Sequence, residues 1–128
     1  MLYKESWIFI TDNTNIRWLK VFQLYKGFCR RVTKPGFFIK GSARIVEPPR
    51  IEYKGFKYKY NIKGDISRSL IVRSNRQFLF RDGLVFKWPD NSGIIIRKKQ
   101  EPKSKFLNGS VGRNIKRRKF LSLFKVVL

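Results

Sequence analysis

The stretch RDGLVFKWPDNSGIIIR, residues 81–97, places one turn signal before an apolar run and another after it, ahead of a second run. Asp82-Gly83 suits a tight hairpin, because glycine tolerates the positive φ that such turns require. Asn91-Ser92-Gly93 reads as a second turn of the Asx type with another permissive glycine. Between them LVFKW has the β-branched and aromatic content of a strand, and III has the continuous apolar character of a buried one. A chain with a formal net charge of +22 needs no hairpin grammar if it is only a basic tail. The charge is expected to sit on a folded scaffold.

The same grammar extends outward. Residues 5–10, 17–24, 37–46, 69–73 and 78–80 read as further strands, with a turn cluster at 11–13 and a basic loop at 25–36. Gly41 predicts a kink or bulge in its strand. Short strands at this spacing, with tight turns and no helices between them, predict an all-β fold, a small antiparallel barrel without free edges. Pro48-Pro49 breaks the pattern. In RIEYKGFKYKYN, residues 50–61, Tyr53, Phe56, Tyr58 and Tyr60 alternate with Lys54, Lys57 and Lys59, as in a basic aromatic ribbon or an extended loop. The aromatics there can stack on bases, or pack on each other or on a neighbour. Beyond Pro102 the character changes. Val111, Ile115, Phe120 and Phe124 fall at mixed helical spacing and predict one or two short basic helices, then an extended end at 125–128. The expected organisation is one domain over 1–128, with barrel and ribbon in 1–101 and a C-terminal segment in 102–128.

Thirty Lys and Arg stand against eight Asp and Glu in 128 residues. A compact domain so charged repels itself unless a polyanion neutralises it, and nucleic acid is the commonest one. Aromatics make up 16% of the chain, which excludes a disordered polybasic arm. No apolar run approaches the ~20 residues of a bilayer-spanning helix, and basic and apolar residues do not segregate at helical spacing, so no membrane partner is expected. Cys29 is alone and histidine is absent, which removes disulfides, CxxC motifs and the commonest general base and metal ligand. The carboxylates Glu5, Asp12, Glu47, Glu52, Asp65, Asp82, Asp90 and Glu101 lie mostly in turns and form no paired acid/base or metal pattern. No catalytic residue, metal or cofactor is expected. The start, MLYKESWIFITDN, shows no cleavable targeting segment. Abundant Lys, Ile, Phe and Asn beside a single alanine, Ala43, indicate an A+T-rich genome.

At this point the chain resembles a family, the universal large-subunit ribosomal protein L-fourteen, over most of its length. TDNTNIRWLKVFQL resembles the family's early Asp-Asn-Ser-Gly-Ala-Arg segment and the strand after it. Arg30-Arg31 is placed like its paired basic residues, and KGDISRSLIVRS, residues 63–74, is similar to its Lys-Gly-Asp motif leading into a Val-rich strand. The most specific match is the opening stretch. Leu70-Ile71-Val72, Asp82-Gly83, Trp88, Asn91 and Ile94-Ile95 keep the family spacing. Trp88 stands where Phe or Tyr is usual, and in KSKFLNG, residues 103–109, only Gly109 matches. Residues 48–61 look like an insertion.

The resemblance implies a closed five-stranded barrel with a short helical C-terminal segment, lying on large-subunit ribosomal RNA near the subunit interface. It implies neighbours from the third and nineteenth large-subunit protein families and a bridge to small-subunit RNA. It also implies a docking site for a factor that silences subunit joining. Asp82, Gly83, Trp88 and Asn91 are then fold motif, with Trp88 capping the barrel interior. The cations expected to reach phosphates are Arg17, Arg30, Arg31, Lys34, Arg44, Arg73, Arg97, Lys98 and Arg113, the run Lys116, Arg117 and Arg118, and Arg50, Lys54, Lys57 and Lys59 on the ribbon. The rival reading is a free RNA- or single-strand-binding module. It requires an exposed aromatic platform on adjacent strands, whereas the aromatics here sit in apolar runs and read as buried. Composition and resemblance together predict an organelle-encoded protein of the mitochondrial ribosome, with plastid or bacterial cytoplasm as alternatives.

Overall fold

The computed structural model describes residues 2–25, 27, 30–48, 60–79, 81–104, 107–113, 115, 118–122 and 124–128. Five strands close into the barrel: β2 (Trp7–Ile10), β3 (Ile16–Leu24), β5 (Phe38–Val46), β6 (Ile66–Arg73) and β9 (Ser92–Ile96). Neighbours are antiparallel except at the closure, where β9 runs parallel to β2 with Phe9 beside Ser92 and Ile10 beside Gly93. Among the described residues, three small pairs sit outside the barrel, the third in the C-terminal segment. β1 (Leu2–Tyr3) pairs with β4 (Val32–Thr33), and β7 (Phe78–Leu79) pairs with β8 (Val85–Phe86).

Period-2 alternation fills the interior. Ile8, Ile10, Leu19, Val21, Ile39, Ile71 and Ile95 point inward and are buried in one core cluster. Each is worth roughly 1.5–3 kcal/mol of removed apolar surface. Five strands enclose little space, so small residues must alternate with these. A Cβ on Gly93 would lie 2.6 Å from Ser69 Oγ and 3.0 Å from the Leu70 carbonyl. Gly93 is therefore a close-approach glycine inside a strand. This corrects the turn expected at Asn91-Ser92-Gly93: Ser92 and Gly93 already belong to β9, and Asn91 closes the preceding loop, its Oδ1 accepting from Asn75 N–H at 2.9 Å.

β6 and β9 read as continuous apolar runs because both their faces are covered. Leu70, Val72, Ile94 and Ile96 point out of the barrel into a second core. It is closed by Leu107, by Val111 on β10 (Ser110–Val111) and by Ile115, Phe120 and Phe124. Phe120 lies on α1 (Arg118–Leu121), its ring 6.2 Å from that of Phe38. β11 (Val126–Val127) pairs parallel with β10. One four-residue helix is thus the helical content among the described residues, the lower end of the one or two short basic helices expected, and the extended end is present. The ribbon expected at 48–61 lies almost wholly outside the described residues.

The Asp82-Gly83 hairpin is present. Gly83 has φ +86° and Asp82 Oδ1 accepts from Leu84 N–H at 3.4 Å. Trp88 is buried but joins neither core. It packs edge-to-face on Phe86 of β8 at 4.6 Å, and is not part of the barrel-interior cluster it was expected to cap.

Candidate nucleic-acid interface

Asp12 organises one end of the barrel. β2 stops at Ile10, so the outer edge of β9 loses its partner there. The buried Asp12 side chain replaces it: Oδ2 accepts from Ile95 N–H at 2.8 Å, and Oδ1 accepts from Thr14 N–H at 3.1 Å and from the Thr14 hydroxyl. Lys103 N–H reaches the Ile95 carbonyl at 2.9 Å. Burial pushes the Asp12 carboxyl above its ordinary value and outweighs the donors that favour its charge. Half-burial pushes the Lys103 ammonium down, against the pull of Asp12. Arg97 repels that same ammonium, so Arg97 and Lys103 form one basic corner beside Asp12.

Two expected RNA contacts are held inside the protein. Arg17 is the unpaired residue of a β-bulge, where the register steps from Ile16–Val46 to Trp18–Ile45. Its Nε lies 2.7 Å from Glu47 Oε1, Nη2 donates to Oε2 at 2.9 Å and Nη1 to the Asp12 carbonyl at 3.2 Å. Arg73 joins three segments. Its Nη2 meets Asp90 at 3.3 Å and donates to Ser92 Oγ at 3.1 Å. Gly109, at φ +84°, passes close against Nη1, so a side chain there would strain the backbone and displace the guanidinium. Both arginines position neighbouring elements.

The other cations face outward. Arg30, Arg31 and Lys34 gather on the loop before β5. Arg30 stacks over Phe37 at 4.5 Å and donates from Nε to the Val32 carbonyl at 3.0 Å, and Lys34 Nζ lies 5.6 Å from the same ring. Arg31 and Lys34 are exposed. Arg44 is exposed at a second bulge, where the register steps from Trp18–Ile45 to Leu19–Ala43. Arg97 is half-buried on the tight loop to Glu101, with Lys98 exposed beside it. Arg113 and Arg118 are exposed at the C-terminal segment. The described cations thus gather around Phe37 and on the Arg97 corner, with Arg44 on β5 near Glu5 and with Arg113 and Arg118 on the C-terminal segment. Arg50, Lys54, Lys57, Lys59, Lys116 and Arg117 lie outside the described residues.

Among the described residues, six acids are engaged within the protein, Asp82 in its own turn. Glu47 and Asp90 hold the two arginines, Asp12 caps a strand edge, and Asp65 accepts from Ile62 N–H at 3.0 Å. Glu5 pairs with Lys20 at 2.9 Å, which holds its carboxyl below the ordinary value. Carboxylates used this way stiffen loops and leave the surplus cations for an external anion.

The aromatic reading needs correction. Trp7 and Phe9 on β2, and Trp18 and Phe22 on β3, all face solvent. β2 is apolar on both parities, so its sequence does not say which set is inside. β3 carried the missed signal: Trp18, Lys20 and Phe22 share one parity and Leu19 and Val21 the other.

Residues 1–127 match the family described as Ribosomal protein L14p/L23e. Members are structural components of the large ribosomal subunit, acting on the ribosome with ribosomal RNA and other ribosomal proteins, and they are not enzymes. A closed five-stranded barrel, acids spent on its own loops and outward cations agree with that match, and the chain belongs to the ribosomal protein L14p/L23e family.

Proposed function

We propose that this chain is seated on large-subunit ribosomal RNA near the subunit interface, where it supports a bridge to small-subunit RNA. The observation that carries the reading is the division of charge: acids turned inward onto Arg17, Arg73 and the strand edge, cations on exposed loops. Arg30, Arg31, Lys34, Arg44, Arg97, Lys98, Arg113 and Arg118 are the proposed phosphate contacts, joined by Arg50, Lys54, Lys57, Lys59, Lys116 and Arg117. Arg17 and Arg73 act through the loops they hold. The neighbours are large-subunit proteins of the third and nineteenth families, and the exposed surface also receives the factor that silences subunit joining. The segment 102–128 works as one unit with the 1–101 barrel, through their shared second core. The A+T-driven composition supports a mitochondrial, organelle-encoded member.

Sedimentation tests the reading. The chain is expected to co-migrate with large subunits through a high-salt wash and to crosslink to ribosomal RNA at the Arg30–Lys34 loop. A free pool that leaves the subunit at moderate salt overturns it. A gene in nuclear or bacterial DNA overturns the organellar assignment.

A further inference from the structure

We infer that the outer face of β2 and β3 is a stacking platform for unpaired RNA bases; the inference rests on the ribosomal-RNA reading and adds a distinct subsite to it. Trp7, Phe9, Trp18 and Phe22 are 46%, 36%, 37% and 39% exposed on two adjacent strands. Cross-strand register sets Phe9 opposite Trp18, their rings edge-to-face at 5.5 Å, and Trp7 opposite Lys20. Phe22 is the extra residue where β3 steps from Val21–Gly41 to Gln23–Lys40, and the bulge turns it outward beside Gln23. A soluble domain rarely leaves so large an aromatic group uncovered without a partner.

The charge on the same face selects the partner. Lys20 shares the outward parity of Trp18 and Phe22, and Arg44 stands at the neighbouring bulge. The acid against them is Glu5, which pairs with Lys20 and feels Arg44 as well. Aromatic rings interleaved with surplus cations match a strand whose bases are free to stack and whose phosphates run alongside. A duplex fits poorly, because its bases already stack on each other and only its backbone is offered. An apolar protein surface would leave uncompensated the positive charge by which Lys20 and Arg44 together exceed Glu5.

The test uses the full-length chain at moderate salt, with a single-stranded oligoadenylate and a blunt RNA duplex of equal phosphate number. Trp7 and Trp18 are exposed and Trp88 is buried, so quenching of tryptophan emission reports the platform. Oligoadenylate is expected to quench and to bind more tightly than the duplex. Phe9→Leu and Trp18→Leu are each expected to weaken oligoadenylate about tenfold and leave duplex affinity unchanged. Arg31→Gln with Lys34→Gln is expected to weaken both RNAs. Should a variant fail to fold, the wild-type chain still reports: 2-aminopurine in the oligonucleotide is quenched on stacking. Equal affinity for both RNAs without quenching, or platform variants that bind as wild type, overturns the assignment. The face then belongs to a protein neighbour while the ribosomal-RNA reading stands. Binding of neither RNA at low salt overturns both.

Discussion

Removing the Asp12 side chain tests whether a single carboxylate stands in for a missing strand. Asp12→Ala leaves two backbone donors, Ile95 N–H and Thr14 N–H, without the acceptors they have at 2.8 and 3.1 Å. Each buried donor so orphaned costs about 1–3 kcal/mol. Part is returned, because the variant no longer desolvates a carboxyl group, and the net loss is expected at about 2–4 kcal/mol. That is a large fraction of the roughly 5–15 kcal/mol that stabilises a typical domain. Asp12→Asn offers an oxygen to only one of the two N–H groups and turns an NH2 toward the other, for a loss of about 1–2 kcal/mol. Urea unfolding at high salt should show the alanine variant's midpoint lower by roughly 1–2 M with an unchanged slope. Hydrogen exchange should show lost protection at the Ile95 amide. An alanine variant within about 0.5 kcal/mol of wild type, or an Ile95 amide still protected, would refute the argument.

The same group carries a pH dependence. Burial raises the folded carboxyl above the unfolded value near 3.8, so its contribution is fully present below that value and is lost as pH rises through the folded pKa; subtracting the Asp12→Asn melting curve from wild type between pH 3 and 8 should isolate this fall, and a flat difference contradicts it. Gly93→Ala forces a methyl against Ser69 Oγ and the Leu70 carbonyl, and should lower stability by about 1–3 kcal/mol in urea unfolding. Ser69→Ala removes a buried hydroxyl without a hydrogen-bond partner; it should be neutral or stabilising alone, and should partly rescue Gly93→Ala. Gly83→Val meets open space, so its loss of about 1–3 kcal/mol is backbone strain alone. Gly83→Asn should lose distinctly less, and equal melting temperatures for the two would remove the role of positive φ.

The barrel was legible because inward and outward residues alternate, and β6 and β9 were legible as buried because both parities are apolar. Those double-sided runs also set the limit. WIFI at Trp7–Ile10 is apolar on both faces, and only the closed barrel decides that the isoleucines enter it and the aromatics face solvent. Gly93 was misread because a glycine that avoids a clash and one that makes a turn look alike in sequence. Arg17 and Arg73 read as free cations because their carboxylates lie 30 and 17 positions away, brought close only by strand register. Asp12 read as a turn residue. Its partner Ile95 is 83 positions distant, and nothing local marks the strand edge it completes.

The second core has a consequence for synthesis on the ribosome. Once Ile96 has emerged, all five barrel strands are available, yet Leu70, Val72, Ile94 and Ile96 still lack the cover that residues 107–128 supply. At roughly 5–20 residues per second over the 32 residues still to come, that stripe stays wet for about two to six seconds in every molecule made. During this interval the nascent barrel presents an adhesive flank beside the attraction of its nineteen Lys and Arg for RNA. Early capture by RNA would compete with tail closure, so prompt docking of Phe120 and Phe124 sets whether each new copy enters assembly finished or half-dressed.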